Sequence, residues 1–275
     1  MHSDDKKDTL TPEEIEHEAF LEEVLEAQRE SLEQARLARQ NGEKKKRKMP
    51  RFARLMIWFM AIILVFNTFA IIFQIYSIPA IEFLKVSSQL SAQEDIQTYK
   101  KAIVEISTGE SKGTGFAITN DGLIVTNAHV VNNALTLTAI FPDDGIYKAE
   151  VVESYPEIDI ALVKVIGKDL PYLKLAQSSS YTKGQHVYFI GNPLYFTGIA
   201  NEGTILESTY LSDWTDPVMM MDAPVYRGNS GSPVINEDGE VIGIVFATIK
   251  DKEYGKVGLY VPIEVLSAYR REKKE

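Results

Sequence analysis

Apolar and polar positions along the 275-residue chain fall into three successive regimes. In the first, Leu21, Val24, Leu25, Leu32 and Ala35 recur at helical spacing in an otherwise charged segment, predicting a helix with one narrow apolar stripe. Thr11-Pro-Glu-Glu14 supplies its start, with Thr11 as N-cap, Pro12 in the first turn and Glu14 closing a capping box, and Asn41-Gly42 supplies its end. The second regime, Leu55 to Ile78, contains no charged residue and is long enough to cross the hydrocarbon core of a bilayer. From Lys101 onward the pattern changes to short β-type runs: 102–106, 115–118, 123–127, 135–140, 148–152, 160–165, 186–190, 203–206, 218–221, 234–235, 241–247 and 258–261. Asn120-Asp-Gly122, Asp143-Asp-Gly145 and Asn236-Glu-Asp-Gly239 punctuate them as turns. So many short strands imply paired barrels or a sandwich. Pro262 to Glu272 reads as a closing helix.

Charge sharpens this division. The formal net charge of -10 argues against nucleic-acid binding, which needs a basic footprint. Residues 1–43 carry 13 acidic against 5 basic side chains, whereas Lys44 to Arg54 carries seven basic and none acidic. Beside an apolar stretch, that basic run fixes topology: the N-terminus faces the cytoplasm and everything after about Ser77 lies outside it. A cleaved secretory signal fits poorly, because the stretch begins too far from Met1 and ends in bulky residues. Asn67, Thr68 and Gln74 read as tolerated polar positions within the span. The absence of cysteine leaves the redox compartment open. The expected organisation is therefore an acidic helix and basic run over 1–54, a transmembrane helix over 55–78, a polar connector with a short helix over 79–100 and a β-rich domain over 101–275. The striped helix over 11–40 suits either a cytoplasmic partner or simple solvation.

The candidate chemistry lies in the third regime. Asp222-Ala-Pro-Val-Tyr-Arg-Gly-Asn-Ser-Gly-Ser-Pro-Val234 sets Ser230 between glycines on a turn, where its hydroxyl can be exposed and neighbouring N–H groups can converge. Leu123-Ile-Val-Thr-Asn-Ala-His-Val-Val131 ends a β-branched run at His129, and Asp159 heads the apolar run that follows Glu157-Ile158. A serine nucleophile needs a base and a carboxylate that orients it, and the order His, Asp, Ser supplies both. His2 and His17 fall on the other side of the span, and His186 reads as a strand histidine.

Thr126-Asn-Ala-His-Val-Val131, Asp159-Ile-Ala-Leu162, Gly191-Asn-Pro193, and Asp222-Ala with Arg227-Gly-Asn-Ser-Gly231 together resemble the protease domain of the HtrA (Deg) family of trypsin-like serine proteases. The resemblance runs from about Ile103 to the helix after Pro262. It implies two six-stranded Greek-key barrels of the chymotrypsin type, with His129 as base, Asp159 as orienting carboxylate and Ser230 as nucleophile. The amides of Gly228 and Ser230, joined by Asn229, would form the oxyanion hole. Pro224, Val225 and Tyr226 with Val245, Phe246 and Ala247 would border the pocket for the substrate side chain, and Val257 to Leu259 would add a wall. None of these is charged, so small or medium apolar side chains are expected there rather than Lys or Arg. Val245 to Ala247 could also pair with an extended substrate strand.

Two departures from the family pattern stand out. Ser232 replaces the usual glycine and is a second serine close to the first. Asn229 stands where trypsin-like zymogens have an aspartate, so no activation by a newly cut N-terminus is implied. Asp222 is assigned to structure. Relatives often form trimers and often bear PDZ domains, and regulation by an attached PDZ domain is not expected here. No cofactor or metal is expected, since no ligand cluster or nucleotide fingerprint appears. The alternative reading is a membrane-tethered binding module with the same fold and a collapsed site.

Overall fold

The computed structural model describes residues 12–40, 50–72, 78–109, 111–132, 134–177, 181–193, 196–212 and 214–272. The chain divides near residue 68 into two units. In the first, α1 (Pro12–Gln40) is a 29-residue helix whose stripe residues Leu21, Val24, Leu25 and Leu32 are exposed. Its predicted Thr11 cap and Asn41-Gly42 stop lie outside the described residues, as do Lys44 to Lys48 and Gln74. The second helix, α2 (Arg51–Ile72), starts four residues before the predicted span, because Arg51 and Arg54 join its first turn. Over Arg51–Ile71 it reaches a mean hydropathy of 2.0 with no side chain buried. Its 22 residues extend roughly 33 Å at 1.5 Å per residue, enough to cross a bilayer by length and composition.

The second unit opens with α3 (Ile78–Leu90) and α4 (Glu94–Lys101). The expected polar connector is therefore two packed helices. Phe83, Val86 and Leu90 share one face of α3 at helical spacing; Phe83 and Leu90 are buried there, and Ile96 of α4 is fully enclosed.

Six strands close the first barrel: β1 (Ile103–Ser107), β2 (Lys112–Ala117), β3 (Leu123–Thr126), β4 (Thr138–Phe141), β5 (Gly145–Tyr155) and β6 (Ile160–Val165), in the order β1-β2-β3-β6-β5-β4. Strand alternation sorts their side chains into two cores. Ala161, Val163 and Val165 of β6 face the barrel interior with Val104, Ile124 and Phe141, whereas Ile160 and Leu162 face a core shared with the second barrel. A one-turn helix, α5 (Ala128–Val131), follows β3. His129 thus sits on a helical turn and not at a strand end.

The second barrel contains β8 (His186–Gly191), β9 (Ile199–Thr209), β10 (Val218–Asp222), β11 (Pro233–Ile235), β12 (Glu240–Asp251) and β13 (Gly255–Pro262), with β11–β12 pairing closing the ring. A two-residue strand, β7 (Lys174–Leu175), lies parallel against β12 and was not among the predicted runs. His186 is a strand residue, as expected, with Nε2 3.0 Å from Glu202 Oε2 on the neighbouring strand. The closing helix α6 (Ile263–Glu272) is tied to β5 by a two-pronged ion pair, Arg270 Nε and Nη2 donating to Glu153 at 3.0 and 3.1 Å.

Candidate active site

Asp159 sits at the end of a 3₁₀ turn, Pro156–Ile158, in the left-handed conformation with φ 49°. Aspartate tolerates that region better than most residues. Its carbonyl accepts from the Asn127 side chain at 2.8 Å and from the Ala128 N–H at 3.2 Å. Its carboxylate accepts the His129 backbone N–H at 2.9 Å through Oδ1 and lies 2.6 Å from His129 Nδ1 through Oδ2. A carboxylate there places the imidazole proton on Nδ1 and leaves Nε2 as the acceptor. The histidine side chain is half exposed, at 51%, against 16% for Asp159, so the base can be reached while its orienting group is shielded. A cavity of about 410 Å³ opens beside this pair, between Ala128, Asn132, Val151 and Pro156.

Ser230 lies on a turn whose dihedrals only glycine adopts cheaply. The Asn229 N–H donates to Tyr226 O at 3.0 Å, closing a turn around Arg227 and Gly228, and Gly228 has φ 98°. A Cβ on Gly231 (φ 87°) would come within 1.9 Å of the Thr114 carbonyl, so the turn is pressed directly onto the first barrel. The N–H groups of Asn229, Gly231 and Ser232 are all engaged, to Tyr226, Val245 and Asn229 carbonyls. Those of Gly228 and Ser230 find no acceptor among the described residues. That pattern suits an oxyanion hole with two donors. It corrects the expectation for Asn229, whose N–H is spent on closing the turn. The Ser230 hydroxyl donates to Phe246 O at 3.4 Å and makes no hydrogen bond to His129 among the described residues.

Thr114, which the sequence reading did not single out, ties these parts together. Fully buried, it donates its N–H to Ser230 O at 3.0 Å and its hydroxyl to Gly228 O at 2.7 Å, while its Oγ1 accepts the Asn192 N–H at 2.9 Å. Its carbonyl accepts the Thr126 hydroxyl at 2.7 Å. The Gly113-Thr-Gly115 pattern was the available signal, a small hydroxyl residue between two glycines at the head of a strand.

A cavity of about 270 Å³ borders Ser230, lined by Val225, Tyr226, Val245, Phe246 and Ala247 as expected, and also by Arg227, Thr248 and Lys256. Pro224 is not among its walls. Val257 and Leu259 are not either, because alternation along β13 turns them into a separate core with Val218 and Met220. Lys256 lies on the opposite face, with its Nζ 3.4 Å from Val225 O and 5.3 Å from the Tyr226 ring centroid. The pocket is therefore not uncharged: two cations and no carboxylate line it. A register shift between Val245 and Ala247 leaves Phe246 bulged out of the β12–β13 ladder, where its ring stacks on Trp214 at 4.8 Å. Ser232 and Asn229 are fully buried, so Ser232 cannot compete as a nucleophile. No group of three or more metal-ligating side chains occurs among the described residues.

The sequence profile of the trypsin-like peptidase domain matches residues 113–244. A probable periplasmic serine endoprotease, DegP-like, of Pseudomonas fluorescens is 36% identical over 160 residues, covering 57% of this chain and 33% of that protein. A protein of the same description from Chlamydia pneumoniae is 34% identical over 163 residues, covering 58% and 33%. The two barrels are similar to the trypsin-like peptidase domain of HtrA/Deg-type proteases. Among solved structures, an inactive form of Rv3671c from M. tuberculosis H37Rv superposes with a TM-score of 0.57 at 25% identity, covering 65% of this chain and 89% of that one. The serine endoprotease from Yersinia pestis shares the fold with a TM-score of 0.57 at 24% identity, covering 65% and 64%. The chain spans about a third of the length of the curated relatives it matches, and the HtrA/Deg-type domain accounts for the shared part.

Proposed function

We propose that this chain is a membrane-anchored serine endopeptidase that cleaves extracytoplasmic proteins. The observation that supports it most is the combination of a histidine oriented by a carboxylate at 2.6 Å with two unengaged N–H groups flanking the serine on the adjoining turn. In this reading His129 Nε2 takes the Ser230 proton as Oγ attacks the scissile carbonyl, and Gly228 and Ser230 N–H groups stabilise the resulting oxyanion. His129 then protonates the leaving amine. Water, deprotonated by the same imidazole, releases the acid from the acyl-enzyme and restores the serine. Val245, Ala247 and Val225 favour small or medium apolar side chains, and Arg227 and Lys256 repel basic ones. The bulge at Phe246 suits pairing with an extended substrate strand.

Helix α2 acts as a single span, and the basic residues before it hold the N-terminus in the cytoplasm. The exposed stripe on α1 supports a cytoplasmic partner for that helix. A second reading, a resting or non-catalytic module, is favoured by one observation: Ser230 Oγ is turned to Phe246 O at 3.4 Å rather than to His129. Catalytic hydrogen bonds often tighten only with substrate. Treating the detergent-solubilised full chain with a fluorophosphonate probe, beside Ser230→Ala, separates the readings. Serine-dependent labelling is expected; a folded chain that does not label would favour the non-catalytic module.

A further inference from the structure

The turn that carries the oxyanion donors has a brace from outside the barrels. Helix α3 packs along β9, and the buried Asn201 side chain on that strand donates to the Phe83 carbonyl at 3.1 Å. This bond fixes the height of Phe83 on the barrel wall. The Phe83 ring, 7% exposed, then meets Tyr226 edge to face, with centroids 4.8 Å apart and planes at 74°. Tyr226 is the residue whose carbonyl accepts the Asn229 N–H at 3.0 Å and so closes the turn holding Gly228. Its ring also lines the substrate cavity and receives the Lys256 ammonium at 5.3 Å. Tyr226 is thus held by an aromatic contact and a cation while its backbone sets the oxyanion turn.

We propose that Phe83 is a positioning residue for the oxyanion turn, acting through Tyr226. The inference rests on the protease reading and deepens it. A pair of this geometry contributes stability beyond its buried area. Losing it frees Tyr226 to move, and catalysis is sensitive to small misplacement of such donors. Only five residues, 73–77, separate α3 from α2 in sequence. Whatever draws α3 off β9 would also release Tyr226.

The test uses the full chain in detergent micelles, a peptide substrate and the fluorophosphonate labelling rate. Phe83→Ala is expected to lower kcat and the labelling rate constant about tenfold while KM changes less than threefold. Phe83→Leu, which keeps volume without the ring edge, should fall between, and it serves as the test if the alanine variant does not fold. Leu90→Ala is the packing control: it lies on the same helix, is buried like Phe83 and is not among the residues that line the cavity. It should lower the melting temperature and leave kcat in place. The proposal is overturned if folded Phe83→Ala, or Phe83→Leu in its stead, labels and turns over at the wild-type rate, or if Leu90→Ala loses kcat to the same degree. A wild-type chain that never labels would instead remove the protease reading, and this inference with it.

Discussion

The Thr114 hydroxyl donates to the Gly228 carbonyl at 2.7 Å while receiving the Asn192 N–H at 2.9 Å, so one buried side chain joins the first barrel, the serine turn and the end of β8. Thr114→Val keeps the shape and removes both bonds. It leaves a buried acceptor and a buried donor unpaired, at roughly 1–3 kcal/mol each. Because Gly228 N–H is one of the two donors of the proposed oxyanion hole, part of that cost is expected as lost catalysis. The expected result is at least a tenfold fall in kcat/KM together with a lowered melting temperature, and near-complete recovery in Thr114→Ser. A fully active Thr114→Val enzyme would mean that the turn holds itself.

Asp159 has two separable tasks, one for each carboxylate oxygen. Oδ1 holds the His129 backbone and Oδ2 orients its ring. Asp159→Asn can preserve the outline of this arrangement but favours the wrong imidazole tautomer, an effect on the order of 10⁴-fold on kcat in enzymes built this way. A loss of that order with an almost unchanged melting temperature is expected in steady-state assays against a peptide substrate. A loss below about tenfold would assign the orienting role to another group.

Why the residues of the proposed triad were legible and their supports were not follows from where each signal resides. Ser230, His129 and Asp159 lie in local patterns, a glycine-framed turn and the ends of apolar runs, and the strands announced themselves by alternation over four or more residues. Thr114 is an ordinary threonine until the fold sets Gly228 beside it, 114 residues away in sequence. Lys256 reads as a solvated cation at a hairpin, and only the face alternation of β13 turns it toward the cavity while Val257 and Leu259 enter a core. Phe83 falls in the connector, where a short helix was expected, and nothing in the local pattern sets its ring against Tyr226, 143 residues later in sequence. The misassigned Asn229 amide is the same lesson at shorter range: a turn closes on it, and turn closure depends on backbone geometry that composition does not reveal.

Lys256 also makes the proposed exclusion of basic side chains from the cavity testable by charge reversal. A substrate lysine or arginine meets a like charge there, whereas Lys256→Glu offers it a partner. Unit charges at about 4 Å interact by about 4 kcal/mol at an effective dielectric of 20, and exposure reduces this severalfold. Matched peptides with valine or lysine before the scissile bond should show the ratio of kcat/KM shifting toward lysine by about tenfold in Lys256→Glu, and by less in high salt. An unchanged ratio would place the selectivity in Arg227 or in the cavity's shape.

Ser232 and Gly191 form a compensating pair that accommodates the serine of Gly231-Ser-Pro233. The Ser232 hydroxyl is fully buried and finds no partner among the described residues. It fits because the facing residue has no side chain: a Cβ on Gly191 would lie 2.1 Å from Ser232 Oγ and 2.6 Å from Asn229 Oδ1. Ser232→Ala removes a desolvated hydroxyl, worth roughly 1–3 kcal/mol. It should raise the melting temperature by a few degrees, at about 2–4 °C per kcal/mol for a domain of this size. Activity should stay within about twofold. Gly191→Ala alone should destabilise strongly, and combining it with Ser232→Gly should recover part of the loss, leaving the remainder to the contact with Asn229. Such non-additivity is the signature of two residues sharing one space. If Ser232→Ala instead abolished labelling at Ser230 with the fold intact, the second hydroxyl would belong to the chemistry and the buried geometry would not be the reacting one.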